Sequence, residues 1–171
     1  MEKLKFKIKI IDNFLAKEDY VELCNLNIDK NIEKGFTVYH NEINEKEIIT
    51  SAIDESLLKK LHNNYHDKAI NILKDLCPEK LPLYDYSDFT VIVTSKNSKF
   101  PIHDDTPNKI LSGVIYLSPE KNSGTTFYND KTGSDRTEMK WKKNRAVFFS
   151  RREKETWHSY KGDNENNRVA L

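Results

Sequence analysis

Residues 101–128 read PIHDDTPNKILSGVIYLSPEKNSGTTFY and decide the fold class. Short runs rich in Ile, Val, Tyr and Thr alternate in this stretch with Asn, Gly, Ser, Asp and Pro, a pattern typical of strands separated by turns. The pattern continues on both sides. We predict strands near 83–86, 88–95, 101–105, 110–117, 124–128, 136–141, 145–150, 155–160 and 168–171. Eight or nine short strands with no helix between them indicate an antiparallel sandwich or barrel.

The first half of the chain follows a different pattern. Residues 4–11, LKFKIKII, alternate as a strand does, and residues 36–40 predict a second short strand. Apolar residues at spacings of three and four predict helices over 16–26 and 54–76. We therefore expect a single domain over 1–171, in which a strand and helical buttress, 1–80, packs on one outer face of a β core, 81–171.

Composition excludes several classes of protein. The 171 residues carry 28 Lys and Arg against 27 Asp and Glu, a net charge of +1, which gives no support to nucleic-acid or membrane binding. The start, MEKLKFKIKI, has no continuous apolar segment of the kind found in secretory signals, and no later run is long enough to span a membrane. Two distant cysteines, Cys24 and Cys77, indicate reduced thiols in a cytoplasmic protein.

Four residues in the second half suggest chemistry. In an extended chain, residues i and i+2 point to one face about 7 Å apart, so His103 and Asp105 project together while Asp104 points away. His158 lies in another strand-like run, TWHSY, and could reach the same ion. Two imidazoles and a carboxylate form the facial triad of non-haem Fe(II) oxygenases. The alternative is structural: a His103–Asp105 pair at the mouth of the β structure, with His158 in the core.

Arg168 lies ten residues beyond His158, at the start of an apolar strand. A buried arginine is costly unless an anion pairs with it. The anion could be one of the 27 acidic residues, in a structural salt bridge, or the far carboxylate of a bound 2-oxo acid. Ser112 and Tyr116 share a face of the predicted strand 110–117, so their hydroxyl groups could join Arg168 around that carboxylate.

The stretch from Val91 to Leu171 resembles the Fe(II)/2-oxoglutarate-dependent oxygenases, closest in style to the prolyl-4-hydroxylase-like branch. The matching segments occur in the order and near the spacing of that family: HDD at 103–105, ILSGVIYLSP at 110–119, SGTTFY at 123–128, NRAVFF at 144–149 and WHSY…R from 157 to 168. The resemblance implies a mainly β fold with flanking helices, a double-stranded β-helix (jelly roll, cupin-like) with two N-terminal helices packed on one sheet.

The resemblance also implies roles for individual residues. It makes His103, Asp105 and His158 the iron ligands and pairs Arg168 with the C5 carboxylate of 2-oxoglutarate. Tyr116 and Ser112 are implied as hydrogen-bonding partners of the cosubstrate. Thr94 stands nearest to the position where the family often has a tyrosine, in the run before the metal pair.

The implied activity is that of a non-haem Fe(II)- and 2-oxoglutarate-dependent dioxygenase. Such an enzyme would use O2 to hydroxylate an unactivated C–H bond of a small molecule or a peptidyl side chain, with release of succinate and CO2. The alternative is a non-catalytic or cupin-like barrel that binds a metal or ligand. The primary substrate and the oligomeric state have no signal in the sequence.

Other candidate residues favour structural roles. His62 and His66 are spaced i, i+4 on the predicted long helix, but HNNYH lacks the glutamate of the His-Glu-x-x-His pattern, so we interpret the pair as part of a solvated helix face. The basic run 151–154, RREK, predicts a solvated turn. Trp141, Trp157 and Tyr160 are interpreted as core or rim aromatic residues.

Overall fold

The computed structural model describes residues 4–171 and consists mainly of antiparallel strands. Its helices are α1 (Lys17–Cys24), α2 (Glu55–Leu76) and a 3-10 helix (Pro78–Leu83). Its strands are β1 (Ile8–Ile11), β2 (Phe36–Tyr39), β3 (Glu42–Ile43), β4 (Ile48–Ile49), β5 (Ser87–Asp88), β6 (Val91–Thr94), β7 (Lys99–His103), β8 (Ser112–Ser118), β9 (Thr126–Tyr128), β10 (Thr137–Glu138), β11 (Ala146–Phe149), β12 (Trp157–Lys161) and β13 (Arg168–Ala170). Within the described residues, no helix is both long and apolar enough to cross a membrane.

Two sheets carry most of the strands. The larger has six strands in the order β1-β11-β8-β13-β6-β2, and the smaller has four in the order β10-β9-β12-β7. Every pair of neighbours in both sheets is antiparallel. Both edge strands of the larger sheet, β1 and β2, come from the first half of the chain. Strands β3, β4 and β5, each of two residues, form a separate small sheet.

Helix α2 begins and ends where the local chemistry requires it. The Asp54 side chain accepts a hydrogen bond from the Leu57 backbone N–H at 2.9 Å, which satisfies one free donor of the first turn. The apolar stripe of α2, which includes Leu58, Leu61 and Tyr65, is buried. Pro78, just after the helix, cannot donate a backbone hydrogen bond and starts the tighter 3-10 turn.

The central strands of the larger sheet are buried on both faces, and their side chains alternate between two cores. Ile115 and Leu117 point to a core shared with the α2 stripe, as do Val91 and Val93. Tyr116 points to a second core between the two sheets. The members of that second core are Phe6, Tyr116, Phe127, Met139, Val147 and Phe149. This period of two means that each strand of the larger sheet presents alternate residues to the space between the sheets.

Several predicted boundaries need correction. The strand predicted at 83–86 is wrong, because Pro78 and Pro82 set a 3-10 helix that ends at Leu83 and residues 84–86 follow in irregular backbone. The strand predicted at 101–105 ends at His103, so Asp105 lies in the turn that follows. The small sheet of β3, β4 and β5 was not predicted, since two-residue strands are too short to show periodicity. The helices lie within two residues of the predicted ranges.

Candidate metal centre

Three potential metal ligands converge where the two sheets face each other. One ligand atom from each of His103, Asp105 and His158 lies within 4.8 Å of the other two. The His158 Nε2 atom is 3.9 Å from Asp105 Oδ1, and the centres of the two imidazole rings are 4.2 Å apart. Strand pairing sets this arrangement, because His103 on β7 lies directly opposite His158 on β12. Three groups at this separation can share one small divalent ion.

Backbone carbonyl groups orient both imidazoles. His103 Nδ1 lies 2.9 Å from the Pro101 carbonyl oxygen, and His158 Nδ1 lies 3.0 Å from the Thr156 carbonyl oxygen. A carbonyl oxygen can only accept, so Nδ1 carries the proton in each neutral ring. Nε2 then keeps its lone pair and is free to bind a metal.

Asp105 is held by two neighbours. The Ser112 hydroxyl donates to Asp105 Oδ2 at 2.6 Å, and the Lys109 ammonium lies 3.4 Å from Oδ1. Burial of the carboxyl group raises its pKa, but the charge of His158 in its protonated form, the charge of Lys109 and the Ser112 hydrogen bond outweigh burial and leave the pKa below its usual value. Asp105 is therefore ionised at neutral pH, the state that a metal requires.

His158 lies in an apolar part of the space between the sheets. The rings of Phe149 and Phe127 are 4.9 Å and 5.9 Å from its imidazole, centre to centre. Burial lowers the pKa of His158 below its usual value, and the Asp105 carboxylate opposes this shift only in part. A neutral imidazole is the metal-binding form, so the surroundings of both ligands favour the protonation states of a metal site.

Arg168 is a buried cation without an acidic partner in the described chain. Its residue exposure is 6%, and its Nε atom is buried with no hydrogen-bond partner in residues 4–171. Aromatic rings surround the guanidinium: its Cζ atom lies 4.1 Å from the centre of the Tyr160 ring, 5.3 Å from Tyr116 and 5.8 Å from Trp141. Burial lowers the pKa of Arg168, and no carboxylate of the described residues offsets it. Residues 4–171 therefore do not contain the structural salt bridge considered from the sequence.

Of the other predicted site residues, Thr94 and Tyr116 lie beside Arg168, and Ser112 lies beside Asp105. Thr94 is buried and lies directly opposite Arg168 in the β6–β13 pair, so the two side chains share a face. The Tyr116 hydroxyl accepts a hydrogen bond from the Thr125 backbone N–H at 2.8 Å, which leaves its own proton free to donate. The Ser112 hydroxyl, predicted to join Arg168, donates to Asp105 Oδ2 in this structure, so its role toward the cosubstrate stays a prediction.

Two residues near the site, Tyr160 and Arg151, were not predicted from the sequence to lie there. Tyr160 follows His158 by two residues on β12, and that spacing in WHSYK was the available signal. Burial raises the pKa of Tyr160 to about 12, and its hydroxyl donates to Asn122 Oδ1 at 2.7 Å. Arg151 belongs to the predicted solvated turn, yet its side chain is only 17% exposed and contacts the Asp104–Asp105 turn. No periodic signal marks Arg151, because it lies in a loop.

The second histidine pair does not form a comparable cluster. His62 and His66 stack on α2 with ring centres 4.8 Å apart. Within the described residues, the His103–Asp105–His158 cluster is the one group of three or more potential ligands close enough to share an ion. Both cysteines are free thiols.

Comparisons with known proteins show which solved structures have a similar fold. No protein-family model matches the sequence, and no curated protein is similar to it. Among solved structures, a Pseudomonas putida prolyl-4-hydroxylase has a TM-score of 0.62 at 14% identity, over 98% of this chain and 90% of that one. The protein has the fold of the Fe(II)/2-oxoglutarate-dependent oxygenases. The resemblance drawn from the sequence motifs is thus confirmed at the level of the fold.

Two further structures share the oxygenase fold. A prolyl hydroxylase from Trichoplax adhaerens, in complex with a peptide fragment of the hypoxia inducible factor oxygen degradation domain, has a TM-score of 0.56 at 17% identity, over 97% of this chain and 81% of that one. OsALKBH1, an AlkB homologue, has a TM-score of 0.53 at 10% identity, over 99% of this chain and 98% of that one.

Proposed function

We propose that this protein is a non-haem Fe(II)- and 2-oxoglutarate-dependent dioxygenase that hydroxylates an unactivated C–H bond of a small molecule or a peptidyl side chain. The observation that carries the proposal is the pairing of two features in one interior space. His103, Asp105 and His158 converge within 4.8 Å, and Arg168 is buried nearby without a carboxylate partner among the described residues. The first feature suits a metal, and the second suits an anionic cosubstrate.

The metal would be held by Nε2 of His103, Nε2 of His158 and a carboxylate oxygen of Asp105. The carbonyl groups of residues 101 and 156 hold the two imidazoles in the tautomer that binds. The Ser112 hydroxyl occupies Oδ2 of Asp105, so Oδ1 is the oxygen on the side of His158. Three protein ligands leave coordination positions for other molecules. Iron bound there, together with 2-oxoglutarate and O2, would supply the hydroxylating oxidant, with succinate and CO2 as the other products.

The cosubstrate would lie between the metal and Arg168. A carboxylate is the group that best fits a buried guanidinium, because it accepts two parallel hydrogen bonds and neutralises the charge. The Tyr116 hydroxyl, whose proton is free, and the Thr94 hydroxyl would complete the polar end of the pocket. Tyr160 and Trp141 would form its walls and exclude water from the ion pair.

The substrate would approach the side of the metal that carries β7. The Phe100 ring lies 6.3 Å from the His103 ring and stacks at 4.3 Å on Phe36, which is 51% exposed. Lys109 is half exposed and lies beside Asp105. An exposed apolar ring next to a charged rim is suited to an organic substrate that must be positioned near the metal. The bound peptide in the Trichoplax structure is compatible with a peptidyl substrate for this chain.

We also interpret the two facing sheets as the double-stranded β-helix of this fold, with α1 and α2 on the outer face of the larger sheet. The support is the strand order of each sheet and the shared core of α2 with β6, β8 and β13. In this arrangement the space between the sheets holds the second core, and the metal ligands and Arg168 lie beside it.

An anaerobic titration with Fe(II) and then 2-oxoglutarate tests the proposal. We expect the weak visible charge-transfer band of an iron–2-oxo acid chelate in the parent protein and in the control His66→Ala. The band should be absent in His103→Ala, because one of the three proposed metal ligands is lost. A folded parent protein that shows no band in this titration would contradict the proposal and favour the alternative, a barrel that binds a ligand or metal without this cosubstrate.

A further inference from the structure

Asp104 lies between two candidate ligands and points away from them. Its Oδ1 atom accepts a hydrogen bond from the Thr156 hydroxyl at 2.7 Å, and its Oδ2 atom accepts one from the Lys154 backbone N–H at 3.1 Å. The Arg151 guanidinium lies 3.3 Å from Oδ2. The Asp104 side chain is 10% exposed, and Thr156 is fully buried. These contacts link the turn after β7 to the segment that leads into β12.

Thr156 continues this link to a metal ligand. Its carbonyl oxygen is the acceptor for His158 Nδ1, the contact that sets the orientation of that imidazole. Its single hydroxyl proton has two acceptors within reach, Asp104 Oδ1 at 2.7 Å and the Arg152 carbonyl oxygen at 3.1 Å. The carboxylate is nearer and charged, so it is the stronger acceptor. Asp104 thereby holds Thr156, and Thr156 holds His158.

Arg151 makes a second link, to the other side of the centre. Its Nε–H donates to the backbone carbonyl oxygen of Asp105 at 2.5 Å while its terminal nitrogen pairs with Asp104. Asp105 lies beyond the end of β7, so no ladder hydrogen bond of that strand holds its backbone. Arg151 supplies a contact that the sheet does not.

From these contacts we propose that Asp104, Arg151 and Thr156, here called the Asp104 clamp, set the positions of Asp105 and His158 relative to each other. Asp104 is a positioning residue that touches no ligand atom and acts through its two partners. The inference rests on the proposed function in that it takes the three converging residues to be a metal centre. A largely buried ion pair adds little net stability, which favours a role in orientation over one in stability alone.

Binding of Co(II), a spectroscopic substitute for Fe(II), tests the clamp without any turnover. We expect Asp104→Leu to weaken Co(II) binding by about 10- to 100-fold, the usual effect of losing an outer partner of a metal ligand. Asp104→Asn keeps an acceptor for the Thr156 hydroxyl and should lose less. Thr156→Val should resemble Asp104→Leu, and the conservative Thr156→Ser should bind as the parent does. Asp130→Asn is the matched control, because Asp130 accepts several hydrogen bonds within its own loop and touches no ligand.

A double-mutant cycle separates positioning from general stability. If Asp104 acts through Thr156, the effects of Asp104→Leu and Thr156→Val on the Co(II) dissociation constant are not additive. Urea unfolding of the metal-free variants shows how much stability each change removes, and a merely structural residue would alter unfolding while leaving the dissociation constant of the folded protein unchanged. If Asp104→Leu fails to fold, Thr156→Val compared with the conservative Thr156→Ser tests the same hydrogen bond from its other end.

The outcomes distinguish the clamp from the function on which it rests. Parent protein that binds Co(II), with folded Asp104→Leu and Thr156→Val binding within twofold of it, would overturn the clamp and leave the metal centre intact. Folded parent protein that does not bind Co(II) would overturn the metal centre, and the clamp with it. Weaker binding by both clamp variants, with Asp130→Asn unchanged, is the result that supports the inference.

Discussion

The Cζ atom of Arg168 lies 4.1 Å from the centre of the Tyr160 ring, and Tyr160 is two residues beyond His158 on the same strand. Residues two apart on a strand share a face, so β12 carries both a candidate metal ligand and a ring that packs against Arg168. The separation of about 7 Å between such residues is close to the length of a five-carbon dicarboxylate. This relationship makes one bound molecule that reaches both ends physically reasonable.

Replacing Arg168 should separate cosubstrate binding from metal binding. We expect Arg168→Met to weaken 2-oxoglutarate binding by about 10- to 100-fold, since charge-assisted hydrogen bonds to a buried carboxylate are lost. Fe(II) binding should be unchanged because Arg168 touches none of the three ligands. Calorimetric titration of the anaerobic iron-loaded protein with 2-oxoglutarate measures the first effect.

The same variant carries a stability prediction. Removing a desolvated cation that has no acidic partner in residues 4–171 should leave the free energy of unfolding unchanged or raise it by about 1–2 kcal/mol. Arg136→Met, at an exposed arginine paired with Glu138, is the control and should change neither property. Equal loss of iron and 2-oxoglutarate in Arg168→Met would contradict the assigned role.

Ser112 should matter for metal affinity rather than for the cosubstrate. Ser112→Ala removes the 2.6 Å hydrogen bond to Asp105 Oδ2, so the carboxylate loses a contact that orients it. We expect Fe(II) or Co(II) affinity to fall by about tenfold. Ser159→Ala is a suitable control, because its hydroxyl pairs with Tyr128 and not with a ligand. A change in 2-oxoglutarate affinity at unchanged metal affinity would instead favour the role first predicted for Ser112.

The stability of the metal-free protein should fall between pH 7 and pH 5 because of His158. Burial lowers the pKa of this imidazole in the folded state, so near the ordinary histidine pKa of about 6.5 the unfolded chain binds a proton that the folded chain excludes. Folding stability therefore falls as pH decreases through that value, by at most about 1.4 kcal/mol per pH unit for this one group. Asp105, whose pKa is also lowered, loses its contribution only at more acidic pH.

Urea unfolding of metal-free protein at several pH values measures this effect. His158→Gln should show a shallower decline than the parent, while His40→Gln, at an exposed histidine, should follow the parent. The lowered pKa of His62 contributes equally to all three proteins and cancels in the comparison. If the free energy of unfolding declines equally with pH in the parent and in His158→Gln, burial of His158 does not control the pH dependence of stability.

Gly124 should not tolerate a side chain. A Cβ atom at this position would lie 1.6 Å from the Met139 carbonyl oxygen, which is backbone and cannot move aside easily. We expect Gly124→Ala to lower the free energy of unfolding by roughly 3 kcal/mol, a typical overpacking cost. Gly35 has open space around it, so Gly35→Ala bears only the cost of its positive φ of 73°, about 1 kcal/mol. Urea unfolding curves of the two variants should differ accordingly.

The strands and helices near the site followed from local patterns. The stripe of α2 depends on which face of the helix is buried, and that information is periodic in the sequence; β8 and β11 are short runs of residues with a preference for strands between turn residues. The 3-10 helix at Pro78–Leu83 was missed because an apolar run broken by prolines is ambiguous when it is short. The end of β7 at His103 was missed because strand boundaries depend on pairing with a distant partner, here β12.

Among the candidate site residues, the order His103, Asp105, His158 and Arg168 could be read from the chain because the resemblance places each in a recognisable segment. The partner of Ser112 could not be read in this way. Ser112 and Tyr116 lie on one face of β8. Alternation along the strand predicts that shared face, but it does not predict that Ser112 contacts Asp105 while Tyr116 lies beside Arg168. The buried contacts of Arg151 were equally hidden, since loops carry no periodicity.

The sequence by itself determined the class of elements, their order and the residue types capable of chemistry, because propensity, alternation and turn residues act over a few neighbouring positions. Only the tertiary structure decided which of those residues meet. The convergence of His103 with His158, the lack of an acidic partner for Arg168 in the described chain, and the attachment of Asp104 to Thr156 all depend on strand register between distant segments. Register is set by the packing of two sheets against each other, a property that no single segment contains.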